Sequence, residues 1–140
     1  MKRTSRALAV TALVVGGLTG LGAAPAAASP DVLLPHPGPD GLVWVEERTG
    51  DGGVVSGGAW EGLPTVLTVA CEGGGSVHVT MESSRDTQVA AFSVDCPAGE
   101  AGVGSVTMAP GVVPPGSFFV TVDASSDGIR WALTVTQPES

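Results

Sequence analysis

The chain has no tyrosine and no asparagine, one lysine and only two cysteines among its 140 residues. Without asparagine there is no N-linked glycosylation sequon. Without tyrosine, any aromatic recognition surface must come from three tryptophans and three phenylalanines. Two cysteines twenty-five positions apart, Cys71 and Cys96, exclude the paired C-x-x-C spacings of structural zinc sites and of dithiol redox motifs. Basic residues are also scarce. Lys2, Arg3 and Arg6 crowd the first six positions, and only Arg48, Arg85 and Arg130 follow. All 14 carboxylates lie beyond residue 28, so residues 29–140 carry three arginines against fourteen acids, a formal balance of −11. Nucleic acid and anionic membrane surfaces both require a positive patch, so neither is an expected partner.

The basic residues that are present mark a leader. A cationic head is followed by an apolar stretch from Ala7 to about Leu21 and by Ala26-Ala27-Ala28. That order predicts a secretory signal peptide over residues 1–28, cut after Ala28, and hence a secreted, extracellular protein free of the membrane. The apolar stretch is short and rich in glycine and alanine, and no basic stop-transfer run follows it. Residues 29–41, "SPDVLLPHPGPDG", contain Pro30, Pro35, Pro37 and Pro39. Alternating prolines forbid a helix and favour an extended arm, in which His36 is expected to be solvated.

From residue 42 to 138 the dominant signal is alternation with period two. Strands are expected over 41–48, 54–62, 64–71, 76–82, 88–96, 102–108, 117–123 and 129–136. The glycines of 54–62 point to an edge strand with a bulge. The inward residues are Leu67, Val69 and Cys71; Val77, Val79 and Met81; Ala90, Phe92, Val94 and Cys96; Phe118, Val120 and Val122; and Ile129, Trp131, Leu133 and Val135. Arg130, Ala132, Thr134 and Thr136 are expected to face outward. Glycine and proline recur too often for a helical stripe. The expected fold is all-β, an antiparallel β-sandwich of seven to eight strands of the Ig-like, Greek-key type.

In an exported domain, an even count of two cysteines reads as one disulfide, Cys71–Cys96. Strands 64–71, 76–82 and 88–96 running as a flat meander would hold these cysteines about 10 Å apart, beyond the reach of about 7 Å. The chain is therefore expected to change sheets, or to reorder strands, between residues 82 and 88, where the polar "ESSRDTQ" segment is long enough for the crossing. A metal site built from Cys71, His78 and Cys96 has the wrong spacing, and alternation turns His78 to the opposite face.

Other constellations give weaker signals. Asp123, Ser125 and Asp127, followed by Gly128, have the alternate-oxygen spacing of a calcium loop, but strands flank them and position twelve is Thr134 rather than Glu. The same residues fit a hairpin turn with Asp-Gly at its tip. No G-x-S-x-G elbow is present, and His78 is the one histidine of the folded region that could act as a base. The expectation is a protein without catalytic residues, cofactor or resident metal. Trp60, in "GGAWEG", and Phe119, outward in "SFFV", are the candidate binding aromatics. "MAPGVVPPGS", residues 108–117, is a candidate exposed loop for a protease inhibitor. The readings in order are a secreted non-catalytic sandwich binding a protein partner or a cell-surface glycan, a protease inhibitor, and a small hydrolase.

"CEGGGSVHV", "FSVDCPAG" and "IRWALTVTQPE" resemble segments of small exported actinobacterial proteins, mostly uncharacterised, over residues 64–139. In such proteins a Cys followed by a Gly run, a second Cys before Pro-Ala-Gly, and a Trp-centred final strand ending at Gln-Pro recur. Here these are Cys71 with Gly73 to Gly75, Cys96 with Pro97 to Gly99, and Trp131 with Gln137 and Pro138. The resemblance implies a disulfide-linked sandwich and no activity. In size and export the chain is also similar to the secreted subtilisin inhibitors, although those use two disulfides.

Overall fold

Alternating short apolar and polar residues, broken every seven to ten positions by glycine or proline, leave the chain few ways to bury its apolar faces other than as facing sheets. The computed structural model describes residues 32–139. The expected leader, the cleavage site and the first residues of the arm lie outside them. Eight strands are formed: β1 Gly41–Thr49, β2 Gly52–Ala59, β3 Thr65–Glu72, β4 Gly75–Ser83, β5 Gln88–Cys96, β6 Gly102–Met108, β7 Gly116–Ala124 and β8 Arg130–Thr136. Among the described residues the one helical element is a three-residue 3-10 turn, Gly38–Asp40.

The strands make two antiparallel four-stranded sheets, ordered β1-β8-β3-β6 and β2-β7-β4-β5. The glycine-rich β2 is an edge strand, with an irregular register between Ser56 and Ala59, as its composition predicts. The inner faces interdigitate into one core. Leu67, Val69, Val79, Met81, Val120, Val122, Ile129, Leu133 and Val135 are all buried. Phe92 is only half-buried, because β5 is an edge strand. Trp131 is the largest fully buried side chain, and its indole N–H donates to the Gly50 carbonyl at 2.7 Å. A buried indole without that acceptor would be costly. Ala132 and Thr134 depart from the expected outward exposure and are buried. They lie on β8, which is flanked by β1 and β3, and short side chains on an interior strand are shielded from both sides.

Cys71 and Cys96 form the expected disulfide, with their Cα atoms 5.0 Å apart. It joins β3 of one sheet to β5 of the other. The expected crossing between residues 82 and 88 is wrong. β4 and β5 form a hairpin within one sheet, closed by Ser83 N–H to Thr87 O at 2.9 Å and Asp86 N–H to Ser83 O at 3.0 Å. The chain changes sheets earlier, at Gly73-Gly74. There φ is 140° and 85°, values that side chains rarely allow, and a Cβ on Gly73 would meet the Gly128 carbonyl and Ile129 at 3.0 Å. The amides of Gly73 and Gly74 donate to Pro97 O and Cys96 O, so this corner is stitched directly to the strand that carries the second cysteine.

The Asp127-Gly128 turn also differs from expectation. Ile129 N–H donates to Ser126 O, which closes a turn, but the strands it joins, β7 and β8, belong to different sheets. It is an arch between layers and not a hairpin. Every connection except β4–β5 crosses the sandwich.

The proline-rich arm is more engaged than expected. Trp44 Nε1 donates to Leu34 O at 3.3 Å, and His36 meets Trp44 edge-on with ring centroids 4.9 Å apart. His36 is exposed, and its Nδ1 accepts the Gly38 amide at 3.0 Å. On the outer face of β8, Arg130 bridges Glu47 at 2.8 Å and Glu72 at 2.6 Å. The hydrogen bond to Glu72, with smaller help from the charge of Glu47, raises the Arg130 pKa above its ordinary value despite partial desolvation.

Two outcomes are expected. Closing the 25-residue loop stabilises the fold by about 3.5 kcal/mol in the chain-entropy description. Urea unfolding of the Cys71→Ser, Cys96→Ser double variant should show a loss of that order. Arg130→Gln should cost about 0.5–1 kcal/mol in low salt and less in molar salt, because half-exposed ion pairs are weak and screened.

Candidate functional site

Three chain segments meet at the end of the sandwich where β2 stops, β1 starts and β8 stops. Trp60 follows Ala59, the last residue of β2, in a loop whose Gly62 has φ 86°. Gln137 follows Thr136, the last residue of β8. Asp40 precedes Gly41, which pairs with Thr136. Together they line an open groove of about 520 Å³ whose wall comprises Pro39, Asp40, Leu42, Trp60, Glu61, Leu63, Gln137 and Glu139.

Gln137 sets the geometry of the groove. It is 3 % exposed, and its side chain uses both ends. The Trp60 amide donates to Gln137 Oε1 at 2.8 Å, and Gln137 Nε2 donates to the Trp60 carbonyl at 3.1 Å and to Thr65 Oγ1 at 3.0 Å. The Gln137 amide donates to Asp40 O at 3.0 Å, which ties the arm to the same point. The backbone of Trp60 is thus clamped on both sides, while the residue as a whole is 68 % exposed. A large apolar ring held in water by a buried amide clamp is unusual, since tryptophan generally buries its ring. Among the residues lining the groove there are three carboxylates, Asp40, Glu61 and Glu139, and no cation.

Phe119, the second candidate aromatic, does not line this groove. It stands on the outer face of β7, 38 % exposed, opposite Val55 of β2 and Glu82 of β4. It is a lesser platform, because its neighbours in register cover much of the ring.

His78 lies on the outer face of β4, with Nδ1 3.1 Å from Ser93 Oγ and with Asp123 in register on the other side. The pleat therefore aligns Ser93, His78 and Asp123 in one row across three strands, which no sequence spacing reveals. The row lies on an exposed sheet face where the amides of the interior strands β4 and β7 belong to the ladder. Acyl-transfer chemistry needs free donors for an oxyanion and a carboxylate bonded to the histidine; no hydrogen bond joins His78 to Asp123 among the described residues.

The oxygens of the calcium-like segment are dispersed. Asp123 faces outward from β7, Ser125 Oγ accepts the Ser76 amide at 3.0 Å, and Asp127 occupies the turn that links the layers. Among the described residues no three His, Cys, Asp or Glu side chains are grouped to hold a metal ion. In the 108–117 loop, Val112 N–H closes a turn on Ala109 O, while Met108 and Val113 are 4 % and 3 % exposed and anchor the loop to the core. Met108 is part of the sandwich interior, whereas Ala109, Pro110, Gly111 and Val112 of the same loop are exposed. A depression of about 200 Å³ beside this loop, with Arg85 in its wall, has no aromatic lining.

No protein-family model and no curated protein matches the chain. Solved structures do. One, described as "CBM4 structure and function", superimposes with a TM-score of 0.50 at 10% sequence identity, covering 63% of this chain and 61% of its own. The matched region thus spans less than two thirds of that carbohydrate-binding β-sandwich. The likeness establishes the sandwich fold and nothing finer. A second, the enzymatically active domain of bacteriophage CBA120 tailspike protein 4, covers 89% of this chain but 26% of its own, with a TM-score of 0.43 and 11% identity.

Of the groove residues, only Trp60 was indicated by the sequence, through its glycine-rich setting. Gln137 stood out only as the Gln-Pro end of the final strand in the resembling segments, with no binding role, and Asp40 had no signal of its own, reading as a loop residue beside proline. Gln137→Ala should remove the partners of both Trp60 backbone groups and of Thr65 Oγ1. Its expected cost is about 2 kcal/mol, from partly buried polar groups left unpaired, measurable by urea unfolding. The indole emission of Trp60 should also become more mobile, visible as a fall in its fluorescence anisotropy.

Proposed function

We propose that this chain is an exported, non-catalytic carbohydrate-binding sandwich that holds a saccharide against Trp60. The observation that carries this proposal is the exposed Trp60, whose backbone Gln137 clamps at the rim of an open groove. Sugar rings present an apolar face of C–H groups that stacks on an aromatic ring, and their hydroxyls need nearby acceptors. Leu42, Leu63 and Pro39 continue the apolar floor, and Asp40, Glu61 and Glu139 provide the acceptors. Anchoring the backbone that carries the ring limits the loop ordering that binding would otherwise cost. A carbohydrate-binding module among the proteins of similar fold supports the proposal. Export is supported by the leader-like first 28 residues and by a formed disulfide.

Affinity electrophoresis through gels containing soluble polysaccharides, followed by titration calorimetry with oligosaccharides, tests the proposal. Trp60→Ala should weaken binding at least tenfold, about 1.4 kcal/mol or more, while Phe119→Ala should leave it unchanged. Retention that persists in Trp60→Ala would move the site elsewhere.

A further inference from the structure

The groove has a charge character that narrows its ligand. Three of its eight lining residues are carboxylates, and they stand around a single exposed indole. The described chain has no lysine and only three arginines, and none of the three lines the groove. Arg130 is held between Glu47 and Glu72, Arg48 donates to the Gly53 carbonyl, and Arg85 borders the depression beside the 108–117 loop. Among the described residues, therefore, no basic side chain lines the groove to neutralise Asp40, Glu61 and Glu139. An anionic sugar entering here would meet uncompensated repulsion, and a neutral sugar would gain hydrogen bonds without relieving that charge. A ligand carrying an ammonium group would relieve it, and the face of the indole attracts the same charge through its quadrupole.

Given a saccharide site at Trp60, on which this inference rests, we infer that the groove selects sugars bearing a free amine, such as 2-amino-2-deoxyhexose units, over their N-acetylated, neutral or acidic counterparts. The pyranose C–H face stacks on Trp60, and the ammonium group lies among the carboxylates. Both contacts are available to one residue of a glycan, because the C2 amino group is bonded directly to a ring carbon and projects from the edge of the ring whose face stacks. A basic peptide offers the ammonium but not the flat apolar ring.

The test compares glucosamine oligosaccharides, N-acetylglucosamine oligosaccharides of the same length, cello-oligosaccharides and oligogalacturonates by calorimetry against the protein spanning residues 29–140, in 20 mM and 500 mM salt. The expected result is binding of the amine-bearing series at least tenfold tighter than the N-acetylated series and no binding of the acidic one. That preference should shrink several-fold in high salt, as exposed charge pairs are screened. Glu61→Gln and Asp40→Asn, each confirmed folded by an unchanged urea midpoint, should each weaken binding of the amine-bearing series more than that of the neutral series and so reduce the preference, while Phe119→Ala, outside the groove, should change neither. Trp60→Ala should abolish binding of every series. Equal affinity for neutral and amine-bearing oligosaccharides, lost in Trp60→Ala, would overturn the amine selectivity and leave the saccharide site standing. Binding of an oligolysine probe with no binding of any sugar would overturn both and make the groove a basic-peptide site. Absence of binding to all the probes would likewise overturn both.

Discussion

A single sulfur bridge between two layers is the constraint on which this architecture depends. Packed sheets lie about 10 Å apart, yet the Cα atoms of Cys71 and Cys96 are 5.0 Å apart, so the layers draw together where the bridge forms. The core there is built from valines and one indole. Cys71 pairs in register with Trp131, and Trp131 satisfies its own N–H on the Gly50 carbonyl of the adjacent interlayer corner. The Gly73-Gly74 corner donates both amides to the segment that carries Cys96. Bridge, indole and glycine corners form one closed end, and a substitution in any of them disturbs the others. For a core with so few large side chains, an entropic contribution of several kcal/mol is a major part of the net stability.

The opposite end of the sandwich is left open by the same topology. β8 runs from Arg130 beside the closed end to Thr136 beside the groove, a span of about 20 Å at the usual rise of a strand. Because all but one of the connections cross between layers, residues remote in sequence meet at this rim. Asp40, Trp60 and Gln137 come from before β1, after β2 and after β8. The buried amide of Gln137 has two consequences. It satisfies backbone groups that no strand partner reaches, and it anchors the backbone from which an exposed tryptophan projects. The disulfide and the groove thus lie toward opposite ends of β8, with Cys71 paired to Trp131 near one and Gln137 at the other.

Much of the fold was legible in the chain. Strand alternation is read reliably where one face is apolar and the other polar, as in "SVHVTME" and "IRWALTVT", and the core residues followed from it. The disulfide followed from cysteine count and the leader. The position of the sheet crossing did not. "ESSRDTQ" is polar and long enough to cross, and "EGGG" is short enough for a tight hairpin, yet the chain uses them the other way round. The reason lies in backbone conformation. Two consecutive glycines with positive φ can turn a strand out of its own sheet, whereas the longer polar segment closes on itself through Ser83, Asp86 and Thr87. Ala132 and Thr134 were misplaced for a related reason, because burial of an outer face depends on which strands flank it.

The sequence by itself determined the periodicity, hence an all-β sandwich, the apolar faces, the acidic character and the pair of cysteines available for a bridge. These are local properties: side chains alternate along a strand whatever its neighbours are, and charge is a sum over residues. Only the tertiary structure decided the strand order, which corner crosses between layers, the cross-strand row of Ser93, His78 and Asp123, and the groove at Trp60. Each of these depends on contacts between segments as far apart as Trp60 and Gln137, and nothing in the local preferences of either residue encodes the hydrogen bonds that join them.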